Sequence, residues 1–135
     1  GNTLPQLTVI DPLVCDRGVD RYRRGSRTLS SLVTHYRCDV IASHDAAADA
    51  AAAVAVARAI ARSFPEVGSV SPDDLMRAQA DWHRAWATNY AAYRRENGLD
   101  ASDVDERWPV PSRVLKVGAE SLVPVRYREP WWKFW

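Results

Sequence analysis

Cysteine is scarce in this chain and unpatterned: Cys15 and Cys38 form no CxxC pair and have no companion histidines at zinc-site spacing. That argues against a zinc module and a disulfide-stapled secreted scaffold, and leaves two reduced core thiols of a cytosolic protein as the expectation. No apolar run is long enough to cross a bilayer, and the N-terminal residues do not have the order of a signal peptide. A cytoplasmic location with no membrane partner is expected. Internal repeats are absent as well; the alanine-rich stretch after Asp45 is a bias toward helix. Charge of one sign is also lacking, with a formal net charge of +1, yet Arg17, Arg21, Arg23, Arg24 and Arg27 fall close together. Such a cluster suits phosphate partners without requiring them. The 135 residues suffice for one domain with a real core, and no composition break divides them.

Leu7-Thr8-Val9-Ile10 is a short β-branched run stopped by Asp11-Pro12, which predicts a strand followed at once by a helix start. A lone strand needs pairing from the C-terminal tail, another chain or sequence not present here. A helix follows from Leu13 to about Tyr22, weakened by Gly18. The Arg23-Arg24-Gly25-Ser26-Arg27 loop is either a solvated turn or a phosphate contact. Thr28 caps a second helix whose Leu29, Leu32, Val33 and Tyr36 share one face, with a structural His35 beside it.

A third helix starts near Asp45 and runs to Phe64, ended by Pro65. At about 100° per residue, Ala53, Val56 and Ile60 line up with Asp49, while Arg58 and Arg62 lie opposite. A carboxylate on that face needs a cation, a metal or a set of donors. Asp45 is expected to cap the helix instead. Ser71-Pro72-Asp73-Asp74 opens a helix to Asn97, with Gly98 as its stop and an Asp73–Arg77 pair outside. Leu75, Trp82, Trp86, Tyr90 and Tyr93 form a bulky stripe on it, suited to packing against another helix or to stacking nucleobases. His83 has no evident partner.

The acidic Asp100–Glu106 stretch reads as a solvated connector that lacks the glycine and terminal glutamate of a calcium loop. Residues 111–135 form a separate tail. It holds a candidate hairpin over Val114–Val117 and Leu122–Tyr127, and an aromatic terminus, Trp131–Trp135.

The strand ending in Asp11, the Arg27-Thr28-Leu29-Ser30-Ser31-Leu32 helix start and His44-Asp45-Ala46-Ala47-Ala48-Asp49-Ala50 occur in that order. Together they resemble the C-terminal half of the DEDDh 3′–5′ exonuclease family, the class that includes the epsilon subunit of bacterial DNA polymerase III. The last of them looks like the family's third motif, a histidine five residues before an aspartate and then alanine. The resemblance covers about residues 7 to 64, and the Trp-rich helix continuing to Pro109 is similar to one bacterial branch. It implies an α/β ribonuclease H-like fold, present here as a mainly helical C-terminal portion (residues 1–110) with one or a few short strands.

By that resemblance Asp49 is a ligand to a divalent metal, Mg²⁺ or Mn²⁺, and His44 is the base that takes the proton of the attacking water. The substrate is the 3′ end of DNA or RNA, and Arg23, Arg24 and Arg27 are the candidate nucleic-acid contacts. The family's first motif, Asp-x-Glu, and the further aspartate of its second should lie upstream of Leu7, and neither stands there. Asp11 matches a later strand end and is not promoted to a ligand. The expectation is a truncated exonuclease domain, inactive as this chain alone and completed by a missing N-terminal half or another chain. The alternative is a non-catalytic helical binding or assembly module derived from the same scaffold.

Overall fold

The computed structural model describes residues 7–40 and 44–109. The candidate hairpin and aromatic terminus of the 111–135 tail lie outside them. The described part is mainly helical, with five helices: α1 (Pro12–Val19), α2 (Leu29–His35), α3 (Ala46–Ser63), α4 (Pro65–Gly68) and α5 (Pro72–Glu96).

Four of these starts are set by local side-chain chemistry. The Oδ1 of Asp11 accepts from the Leu13 and Val14 amides at 3.0 and 3.2 Å, and Pro12 takes a position that needs no amide. Thr28 accepts from Ser31 N at 3.2 Å. Asp45 accepts from the Ala47 and Ala48 amides at 2.8 and 3.2 Å. Ser71 accepts from Asp74 N at 3.1 Å, ahead of Pro72. At the far end of α5, Gly98 takes φ +70°, the left-handed stop that the sequence predicts. Gly68 is required for a different reason, since a Cβ there would fall 2.0 Å from the Ala61 carbonyl oxygen.

α1 packs against both α3 and α5, and α2 packs against α3. The core between them holds Leu13, Cys15, Leu32, Ala52, Val56, Ile60 and Leu75. Each fully buried leucine or isoleucine contributes about 1.5–3 kcal/mol relative to exposure. Both cysteines are free, Cys15 in the core and Cys38 half-buried at its edge.

Several elements differ from expectation. Leu7–Ile10 is not a strand, and no strand occurs among the described residues. The side-chain amide of Gln79 on α5 replaces a sheet neighbour there. Its Nε2 donates to Val9 O at 3.0 Å and its Oε1 accepts from Asp11 N at 2.7 Å. α1 stops at Val19 rather than Tyr22, where the Arg27 guanidinium captures the Asp20 and Arg23 carbonyls at 2.6 and 3.0 Å. Arg77 pairs with Asp74, which also bonds Ser71, rather than with Asp73. The acidic stretch folds back on α5 instead of standing free. Asp103 meets Arg94 at 2.9 Å, Ala101 is buried, and Nε2 of His83 lies 2.9 Å from Asp105 O.

Gln79 is fully buried, so its amide has no access to water as an alternative partner. Gln79→Leu keeps the volume and removes both bonds, leaving the Val9 carbonyl and Asp11 amide unsatisfied. The expected loss in urea unfolding is about 2 kcal/mol, with faster hydrogen exchange at the Asp11 amide. Unchanged stability and exchange would show that the 7–11 segment is held by something other than Gln79.

Candidate functional site

His44 and Asp49 are brought together by the turn that enters α3. His44 has φ +61°, an uncommon conformation for a residue with a side chain. That turn aims its backbone amide at Asp49 Oδ1, 3.3 Å away. Asp45, between them in sequence, is occupied as the helix cap. Asp49 continues the buried line of Ala52, Val56 and Ile60, one position round from the Ala53 line read from the sequence. It is half-buried in the first turn of α3. His44 is exposed.

The fit to a divalent cation is partial. Asp49 offers the anionic oxygen that Mg²⁺ or Mn²⁺ takes, and His44 adjoins it. Among the described residues no group of three His, Cys, Asp or Glu side chains gathers at one point. His44 and Asp49 alone do not make up a metal site; a divalent cation here would need further anionic oxygens.

The three arginines of the basic loop have separate fates. Arg23 and Arg27 turn inward onto Asp16, a residue that sequence reasoning passed over. The Asp16 carboxylate is fully buried. It accepts from Arg23 Nη2 at 2.7 Å on both oxygens, from Arg27 Nη1 at 2.5 Å and from the Tyr36 hydroxyl at 2.7 Å. Burial opposes the charge on Arg23, but hydrogen bonds and the charges of Asp16 and Asp20 outweigh it and raise the guanidinium. Burial, then the bond to Asp16, raises the Tyr36 hydroxyl. Arg24 is exposed. His35 is exposed too, edge-on to Tyr36 and 3.9 Å from Asp20.

The aromatic stripe of α5 is a half-buried flank rather than the core face, which is formed by Leu75, Gln79, Ala87 and Ala91. Trp82 lies against Gly18, Trp86 stacks on Tyr90 with 5.2 Å between centroids, and Tyr93 is exposed. The Arg17 guanidinium lies 4.1 Å over the Trp86 ring. The Cys15 thiol, 3.5 Å from Gln79 Oε1, is pushed up to about 12, mainly by burial and then by Asp11 and Asp16. It is a packing group, not a nucleophile.

No family model, curated protein or solved structure matches the chain. No helix among the described residues is long and apolar enough to cross a membrane. The functional reading therefore stands on these residues.

Proposed function

We propose that the chain is the C-terminal part of a metal-dependent 3′–5′ exonuclease domain of ribonuclease H-like fold, hydrolysing terminal phosphodiesters of DNA or RNA. Asp49 is its metal ligand and His44 its general base. The observation that supports this reading is the left-handed His44 turn, which holds the backbone amide of His44 against the half-buried Asp49 carboxylate and so keeps the two residues adjacent. A non-glycine residue at positive φ is a local cost, and such costs cluster at functional sites. Capping of α3 does not require it, since Asp45 already satisfies the first free amides. With one carboxylate in place, this chain alone is inactive, and a segment carrying the family's remaining acids completes it.

A readout independent of activity follows from the partial fit. Adding Mn²⁺ to ¹⁵N-labelled protein is expected to broaden the amides from His44 to Ala50 selectively and weakly, and Asp49→Ala to abolish the effect. Broadening that persists in Asp49→Ala, or that centres only on the Asp100–Glu106 stretch, would remove Asp49 as the ligand.

A further inference from the structure

A cleft of about 580 Å³ opens between α1 and α5, away from the α3 residues His44 and Asp49, neither of which lines it. Its volume falls in the usual range for small-molecule sites, about 300–1,000 Å³. One wall is aromatic: Trp82, Trp86 and Tyr90 follow one another by single turns of α5, with the Trp86 and Tyr90 planes only 17° apart. Gly18 shapes this wall, because a Cβ there would fall 2.1 Å from Trp82 Cδ2. The other wall is basic. Arg17 and Arg21 stand one turn apart on the α1 side, and no acidic residue lines the cleft among the described residues.

The arginines lining the cleft sit in different surroundings. Arg27 is committed to Asp16 and to the carbonyls of the loop. Arg21 is exposed, and no carboxylate among the described residues pairs with it. Arg17 is nine-tenths buried over the Trp86 ring. Burial pulls its guanidinium down to about 9 against the opposing charges of Asp11 and, more weakly, Asp16. An anion entering the cleft would restore what burial removes. At the rim Asn89 presents a carboxamide, which has both the donor and the acceptor needed to meet the edge of a base.

A bare phosphate would have no use for three aromatic rings, and an apolar guest no use for two guanidiniums. We infer that the α1–α5 cleft binds a nucleotide, its phosphate on Arg17 and Arg21 and its base against the wall of Trp82, Trp86 and Tyr90, with Asn89 at the base edge. Free nucleoside monophosphate and a nucleotide within a single strand share this chemistry. The site needs neither metal nor a second polypeptide, so it stands or falls apart from the exonuclease proposal.

The test is calorimetric titration of the whole chain in EDTA with thymidine monophosphate, thymidine, inorganic phosphate and a short oligothymidylate. The nucleotide is expected to bind more tightly than either of its parts. Arg21→Ala, an exposed change that leaves the core intact, is expected to weaken it about fivefold or more. Asn89→Ala is expected to weaken the nucleotide but not phosphate, and Arg62→Ala on α3 to leave both unchanged. An oligonucleotide about tenfold tighter than the mononucleotide, and still dependent on Arg21, assigns the site to a strand; equal affinity assigns it to the free nucleotide. The inference is overturned if phosphate or thymidine alone binds as well as the nucleotide. It is equally overturned by no binding at all, or by Arg21→Ala and Asn89→Ala both leaving the affinity unchanged.

Discussion

Asp16→Ala is expected to cost about 3–5 kcal/mol in urea unfolding. The Asp16 carboxylate is fully buried, and three side chains from three other points of the sequence, Arg23, Arg27 and Tyr36, converge on it. The two guanidiniums are themselves mostly out of water, at 16% and 13% side-chain exposure. Removing the carboxylate leaves Arg23 with Asp20 and Arg27 with backbone carbonyls as their remaining partners, two mostly buried cations beside each other, and leaves the Tyr36 hydroxyl without its acceptor. The cost of breaking such a group exceeds its net contribution when intact, because the surviving charges stay desolvated. Domains of this size are stable by about 5–15 kcal/mol in total, so the loss is a large share.

Asp16→Asn keeps the shape and an acceptor for Tyr36 while removing the charge, and it is expected to fall between wild type and alanine. Urea unfolding followed by circular dichroism measures all three. A loss below about 1 kcal/mol for Asp16→Ala would class the cluster with ordinary surface ion pairs. It would also remove the reason for the basic loop to fold inward.

The helix starts were legible in the sequence because each is a local event. Asp11, Thr28, Asp45 and Ser71 cap amides two or three residues away, so the pattern that makes the cap is contiguous. Helical period put Asp49 in line with Val56 and Ile60 on the buried face; those two are buried, whereas Asp49 is half-buried. Asp16 was not legible, because its partners lie 7, 11 and 20 residues on and belong to a loop and a separate helix. A basic loop read in isolation looks like a phosphate contact or a solvated turn. Only the tertiary fold shows that an acid one helix back engages two of its three arginines.

The Leu7–Ile10 segment failed for a related reason. β-branched composition makes extended backbone favourable but does not say what will pair with it, and here a glutamine 70 residues away does so. For α5, periodicity placed the tryptophans on one stripe, yet the core took the neighbouring face. Ala87 and Ala91 are buried on that face, where the 101–109 segment is tied to α5 through His83 and Arg94. The rings are left as the wall of a cleft.

Digestion of a 3′-labelled single strand tests the central claim most directly. The strand is incubated with Mg²⁺ or Mn²⁺ and either this chain alone or this chain joined, ahead of Leu7, to an N-terminal half carrying an Asp-x-Glu strand and the second-motif aspartate. The chain alone is expected to leave the strand intact. The completed domain is expected to give a ladder of shortened products. The proposed roles predict that His44→Ala slows it about 10²–10⁴-fold, the usual contribution of a general base, and that Asp49→Ala slows it at least as much, through loss of the proposed metal ligand. A ladder from the chain alone, digestion indifferent to Asp49→Ala, or an intact strand after completion would each contradict the assignment.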